Sequence, residues 1–351
     1  MLKTCRRWAL AALFGCVLAA LLCALAVFIV DPFEIYRESS ILPLYDQESY
    51  NNPGIVRNYD YNAVILGTSM VEMSRPSVID ACFGVRSVKL PMRGSYIAQM
   101  GWQLEHIYKA KARRNETLEL AILALDAYSM VGEVHDDAEI YDYLWNDNIF
   151  DDVNYLLNRD VLLVKIPKML KNAGKPLEGK RDNMFIWTDV EFSAQSVYDS
   201  LPGVMAQSEM QRADYRIERS TANLELHIEP HIKAHPETTF RIYMPPYSVG
   251  YWYLTTRNGL IEQQFRSRDL VAERLLQYPN VEIYDYSSRI EWITELNQYF
   301  DYSHHSGEMS NRVMRAMAAG ENRVTSVADM RAGSERIRTA ANEFASVFEA
   351  R

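Results

Sequence analysis

From Trp8 to Val30 the chain runs for 23 residues without a charge, WALAALFGCVLAALLCALAVFIV. Built as a helix at 1.5 Å per residue, this run is about 34 Å long, enough to cross the hydrocarbon core of a bilayer. Lys3, Arg6 and Arg7 precede it and Asp31 closes it. A cleaved signal peptide has a shorter apolar core that ends at small residues. Ala24, Leu25 and Ala26 mimic such a site, but Val27, Phe28, Ile29 and Val30 carry the run past it. The segment is therefore expected to stay as an anchor, residues 1–30. A lipid-attachment site at Cys16 is disfavoured by the bulk of Phe14. The basic flank predicts a cytoplasmic N-terminus and an extracytoplasmic remainder on a single-pass membrane protein.

The remainder has to be a folded body. Hydrophobic residues make up 48 % and charged residues 24 % of the chain, an ordinary globular balance. The net charge of −9 disfavours nucleic acid as a partner. Of four cysteines, Cys5, Cys16 and Cys23 lie in or beside the anchor, which leaves Cys82 alone. That excludes a disulfide or a cysteine metal cluster in the body, and Cys82 in VIDACFG reads as a small buried hydrophobe. No metal and no cofactor is expected.

Residues 31–57 carry scattered turn residues and aromatics and read as a membrane-proximal segment. The main domain is expected over 58–320, with a C-terminal helix over 321–351. Short apolar runs mark five strands: AVIL before Gly67, Val85–Met92, Leu118–Tyr128, Thr238–Ser248 and Asn280–Ser287. Helical patterns lie between them. One face carries Ile97, Met100, Leu104 and Ile107, and another carries Ile261, Phe265, Leu270 and Leu275. Alternating strand and helix predict an α/β fold, with a central parallel sheet covered on both faces. An insertion over about 129–237 is too long for a plain crossover. It is expected to be helical, with helices at Val153–Lys171 and Met205–His235, and to form a cap beside the active face. Its basic run from Lys165 to Arg181 suits either a solvated face or contact with anionic lipid or polymer.

A parallel sheet presents functional groups at the carboxyl ends of its strands. The first strand ends in GTSM, which places Ser69 where strand should give way to a helix N-terminus. There it is either a nucleophile beside free backbone N–H groups or part of a helix cap. The second ends in PMRGSY, where Gly94 offers a backbone N–H to a substrate or makes a turn. The third ends in LALDAY, with Asp126 facing the crevice or capping the next segment. After the fifth strand comes DYSHHS. There His304 can act as base for Ser69, with Asp301 three residues earlier to orient it. His305 has no role in that scheme and reads as a loop residue. The aromatic stretch PPYSVGYWYL after the fourth strand either lines a pocket or packs the cap.

VILGTSM, PMRGSY, LALDAY and DYSHH stand in the order of the first, second, third and last blocks of the SGNH/GDSL hydrolase superfamily, and the chain resembles it. DPFEIY, NNPGIVRNYDYNAVILGTSM, YLWNDNIFDDVNYLLNRDVL and YMPPYSVGYW extend the likeness over most of residues 31–315. They make the chain similar to a membrane-anchored subgroup like the DltD family of teichoic-acid D-alanylation proteins. The resemblance implies a three-layer, flavodoxin-like fold. It implies Ser69 as nucleophile, His304 as base, Asp301 as its orienting acid and Gly94 as an oxyanion donor. The chain departs from the pattern at Asp126, where the superfamily has an asparagine donor. A carboxylate there repels an oxyanion unless it is protonated or turned away. Either Asp126 is scaffold, or the hole is built differently with Arg93 nearby.

The expectation is a serine esterase or O-acyltransferase acting on an acylated glycan or teichoic-acid-like polymer of the cell envelope. The alternative is a catalytically weak accessory protein that works with a membrane acyltransferase. A purely structural anchored protein requires the Ser–Asp–His order to be accidental.

Overall fold

The computed structural model describes residues 2–132, 134, 142–146, 148–205 and 217–350. The chain divides into two compact units. One comprises Met1–Tyr59 with Glu139–Lys180, the other Asp60–Ala138 with Arg181–Arg351. The insertion expected over 129–237 is thus shared between them.

The first unit begins with a single helix, Leu2–Val30, whose large apolar side chains from Trp8 to Ile29 are exposed apart from Val27, which is buried. Its stretch Thr4–Val30 is long and apolar enough to cross a membrane. The helix ends abruptly. Asp31 takes a left-handed conformation (φ 47°), and its carboxylate accepts the N–H groups of Ile35 at 2.9 Å and Tyr36 at 2.8 Å. Asp31 is buried, which pushes its pKa up to about 6 even though the backbone N–H groups and the Tyr155 hydroxyl pull it down. Glu34, also buried, accepts hydroxyls from Tyr59 at 2.5 Å and Tyr45 at 3.2 Å. Glu48–Asn58 is helical. Its NNPG core contains Pro53 and disguises it as loop in the sequence.

The second unit carries a six-stranded sheet. Its strands are β1 (Ala63–Gly67), β2 (Ser87–Pro91), β3 (Leu120–Ala124), β4 (Thr239–Met244), β5 (Val281–Asp285) and β6 (Arg323–Val324), in the order β2-β1-β3-β4-β5-β6. All pairings are parallel except that of β5 with β6. The first five strands match the apolar runs that predicted them, β1 extending one residue past its run to include Gly67. Residues of β1, β2 and β3 are buried throughout, because helices cover both faces and the usual polar alternation is lost. On one face, Ala63, Ile65 and Ile122 share a core cluster with Ile79, Met309, Val313 and Met317 from the helices Pro76–Phe83 and Gly307–Ala318. The helix Ile97–Arg113 buries the predicted stripe of Ile97, Met100, Leu104 and Ile107. Ile261–Leu275 buries Ile261, Phe265, Leu270 and Leu275, and the last helix spans Val327–Phe348.

The two helices expected in the insertion are not continuous. In place of Val153–Lys171 stand Val153–Leu156 and then a π turn, Val161–Lys165, that runs into Ile166–Leu170. In place of Met205–His235 stand Ile217–Asn223, a π turn at Leu224–Ile228 and Glu229–Ala234. The part of that expectation over 206–216 lies outside the described residues. In both cases a proline, Pro167 or Pro230, comes two residues after the π turn. Proline removes one helical hydrogen bond and crowds the preceding turn, and a wider π turn relieves that crowding. A further helix, Ala194–Met205, has no counterpart among the helices expected from the sequence.

The β1 exit is tightly packed. A Cβ on Gly67 would sit 2.7 Å from Val71 Cγ1 and 2.9 Å from Ala124 Cβ. Gly67→Ala therefore forces β1, β3 and the adjoining turn apart. It is expected to cost about 1–3 kcal/mol, read as a lower urea midpoint at unchanged slope.

Candidate active site

Thr68 comes directly after β1 and caps a single 3₁₀ turn, Ser69–Val71; its Oγ1 accepts the Met70 N–H at 3.4 Å. The long helix expected to begin at Ser69 starts later, at Pro76. Proline favours the first helical position and holds the preceding residue, Arg75, extended (φ −109°, ψ 115°). Ser69 therefore does not sit at that helix's N-terminus. The turn is tied down instead by Lys89 of β2. Its buried ammonium donates to the carbonyls of Glu72 at 2.6 Å and Ser74 at 2.9 Å.

Residues 299–306 form a looped excursion that returns on itself, with Phe300 N donating to His304 O at 3.2 Å and Ser306 N to Gln298 O at 2.7 Å. Asp301 organises it. Its Oδ1 accepts the backbone N–H groups of Ser303 and His304, both at 2.7 Å, while Oδ2 lies 2.7 Å from His304 Nδ1. Burial pushes the Asp301 carboxyl up, but the His304 ring and these two N–H groups outweigh it and hold the pKa below the usual carboxylate range. An ionised carboxylate only accepts, so Nδ1 carries the proton and Nε2 is left as an acceptor. Nε2 lies 2.8 Å from Ser69 Oγ. Ser69, His304 and Asp301, 235 residues apart at the extremes, thus form one hydrogen-bonded relay.

Asp126 sits beside the relay at the end of β3. It is buried, and both oxygens are engaged: Oδ2 accepts the Thr68 hydroxyl at 2.7 Å and Oδ1 the Ser129 N–H at 3.0 Å. Burial pushes its pKa up, against hydrogen bonds from Thr68, Ser129 and Tyr247 that pull it down. The carboxylate therefore braces the residue just before Ser69. Gly94 has φ +63°, a left-handed conformation that glycine adopts freely, and a Cβ there would meet only open space. Among the described residues, neither the Ser69 nor the Gly94 backbone N–H has an acceptor. Arg93 is drawn away from any oxyanion role by Glu72, with Nε to Oε1 at 2.5 Å.

Ser69, Gly94, Asp126 and His304 line a cavity of about 560 Å³. Tyr247, Tyr251 and Tyr302 form a stack along its wall, with ring centroids 4.2 and 6.4 Å apart and ring planes 25° and 2° from parallel. Tyr96 and Tyr128 share a hydroxyl contact of 3.1 Å on its lining, and Arg219, Asn258 and Gln264 add polar groups. The aromatic stretch after β4 thus does two things. Tyr247 and Tyr251 face the cavity, while Trp252 and Tyr253 pack inside. Sequence reading missed Phe300, stacked on the His304 ring at 5.1 Å, and Trp187, edge-on to it at 5.0 Å. Thr68 and Trp187 carried no signal of their own; Phe300 had only its nearness to Asp301.

No protein-family model matches the chain, and no curated protein matches it. The geometry alone describes the chemistry available: a serine hydroxyl whose proton can pass to an imidazole held in one tautomer, next to two unused backbone donors, at the wall of a cavity. Among the described residues no group of histidine, cysteine or carboxylate side chains is arranged to hold a metal ion.

His305 lies in the loop 299–306, where it forms an isolated bridge with Tyr299. It is buried, with Nδ1 3.2 Å from Ser306 O, and burial pushes its pKa down to about 4. The folded protein thus binds fewer protons than the unfolded chain between the ordinary histidine value of 6.5 and about 4. The corresponding stability is full above pH 6.5 and is lost as pH falls toward 4, to a limit of about 3 kcal/mol. Urea titrations of the full chain in detergent at pH 7.5 and 4.5 should show this loss. His305→Asn, which keeps an N–H donor but does not titrate, should lose distinctly less.

Proposed function

We propose that the chain is a membrane-anchored serine esterase or O-acyltransferase of the SGNH/GDSL type, facing the outside of the cytoplasmic membrane and acting on an acylated cell-envelope polymer. The observation that carries this reading is the Ser69–His304–Asp301 relay, 2.8 and 2.7 Å in its two links, at the carboxyl edge of a parallel sheet. The strand order β2-β1-β3-β4-β5, with β6 antiparallel at the edge, supports a flavodoxin-like reading, in which ligands sit where the order reverses, here between β1 and β3, with Thr68 bonded to Asp126. The block order from Ser69 through Gly94 to Asp301 and His304 supports the superfamily, and the basic flank of the apolar helix supports the sidedness. The polymer, a glycan or teichoic-acid-like chain, rests on the resemblance; the tyrosine-lined, partly polar cavity suits a sugar-bearing ester.

In this scheme Ser69 Oγ attacks the ester carbonyl as its proton passes to His304 Nε2. Asp301 stabilises the imidazolium, and the backbone N–H groups of Ser69 and Gly94 receive the oxyanion. His304 returns the proton to the departing alcohol, leaving an acyl group on Ser69. Attack by water gives an esterase, and attack by a polymer hydroxyl gives a transferase.

Asp126 favours a second reading, an accessory protein working with a membrane acyltransferase. A missing side-chain donor in an oxyanion hole costs about 10²–10³-fold in rate. Reaction of the full chain with a fluorophosphonate separates the two readings. The enzyme reading expects label on Ser69, none on Ser69→Ala, and labelling at least ~100-fold slower in His304→Ala. Absence of label on the wild type, with equal biological function of wild type and Ser69→Ala, leaves the accessory reading.

Asp126→Asn gives the complementary result. An amide supplies one acceptor where Thr68 and Ser129 need two, so the variant is expected to lose about 1–3 kcal/mol of stability without reacting faster. A variant equally stable and faster would show that the carboxylate obstructs the site.

A further inference from the structure

In the first unit, the stretch from Ile149 to Leu170 is apolar on two opposite sides. Its inner side is packed: Tyr155, Val161, Ile166 and Met169 are buried. Its outer side is bare: Phe150 is 88 % exposed, Ile149 60 % and Leu163 59 %, and Val153, Leu157 and Val164 are also exposed. Exposed Asn154, Arg159 and Asp160 stand among these apolar side chains, so the stretch is amphipathic, as a segment lying at a membrane interface is. Scattered single apolar residues on a surface need no explanation, but a run of this kind does.

Its position indicates what covers it. Tyr155 donates its hydroxyl to Asp31 Oδ1 at 3.1 Å, and Asp31 is the first residue after the apolar helix. Tyr36 bonds Asp152 at 3.1 Å and packs its ring 4.8 Å from that of Phe28 in the helix's last turn. The segment is therefore held at the level where the helix Leu2–Val30 ends, so its bare side continues the helix's own exposed apolar surface. Tyr36 at that level matches the tyrosine enrichment of membrane interfaces. Lys168, paired with Asp46 at 2.7 Å, and the exposed Lys171 come later along the chain.

We propose that residues 149–164 form an interfacial foot that lies in the headgroup and upper acyl region of the leaflet at the Val30 end of the anchor. Phe150 and Leu163 are its deepest side chains. The inference rests on the reading of Leu2–Val30 as a membrane span; it adds a second, monotopic contact, so the chain both spans and lies on the bilayer.

Site-directed nitroxides on the full chain test it. In a background with Cys5→Ala, Cys16→Ala, Cys23→Ala and Cys82→Ala, single cysteines are placed at Phe150, Leu163, Leu13 in the anchor and Glu178 as an exposed polar control. The proteins are reconstituted in vesicles of phosphatidylcholine and phosphatidylglycerol. Relaxation by oxygen, which concentrates in lipid, is compared with relaxation by a water-soluble nickel chelate. The expected result groups Phe150 and Leu163 with Leu13, with nickel accessibility several-fold below that of Glu178. Phe150 and Leu163 grouping with Glu178, while Leu13 stays in lipid, would overturn the foot and leave the anchor standing. Nickel access at Leu13 as well would overturn the anchor and the foot together. Labels open to nickel in pure vesicles, but shielded from both reagents in native membranes, would assign the face to a protein partner instead. Phe150 is nearly fully exposed, so the label there does not disturb packing.

Discussion

The parallel register of β1 between β2 and β3 places half of the candidate site, and the rest is built onto it. Gly67 pairs with Pro91, and Leu66 with Leu123, so the three strands end at one level. Ser69, Gly94 and Asp126 therefore emerge from the same edge, although they are separated along the chain by helices on both sides of the sheet. The close approach of Gly67 to Val71 and Ala124 shows how little slack this edge has. A one-residue slip of β1 would send Thr68 away from Asp126 and turn its apolar residues to the opposite face.

The second half of the site is built locally. One carboxylate, Asp301, caps its own turn with one oxygen and fixes an imidazole with the other. The three-residue spacing from Asp301 to His304 is what allows both. The loop is then pinned to its surroundings: Tyr299 donates to Pro246 O at 2.8 Å, and Tyr302 O accepts from Ser248 at 2.6 Å. Phe300 and Trp187 close the ring from its face and its edge. The relay geometry thus comes from a rigid turn rather than from the hydrogen bonds of the relay alone.

The strands were legible because burial on both faces writes them as unbroken apolar runs. β6 was not, since a two-residue antiparallel pair at the edge has no pattern of its own. Ser69, Asp301 and His304 stood out because strand ends and short spacings are visible along the chain. The Thr68–Asp126 bond was hidden, because it depends on which strands become neighbours. Trp187 belongs to an irregular stretch whose path is set only by tertiary packing, and nothing periodic marks it. The helices of the insertion were read too simply, because periodicity continues through a π turn while the backbone does not. The helix Glu48–Asn58 was missed for the opposite reason: Asn-Asn-Pro-Gly signals a turn locally and is overridden by burial of Asn51, Asn52 and Pro53.

The joint at Asp31 has a mechanical consequence. The helix does not pass into a flexible stalk. It stops at a left-handed residue whose carboxylate is filled by Ile35, Tyr36 and Tyr155. Such a joint transmits angle. The uncharged run Trp8–Val30 makes about 34 Å of helix, against a hydrocarbon thickness of about 30 Å. In a membrane such an excess would be taken up partly as tilt, and the tilt would vary with the thickness of the bilayer. A body welded to the helix end would lean by the same amount, so a bilayer around the helix would set the pitch of the whole first unit.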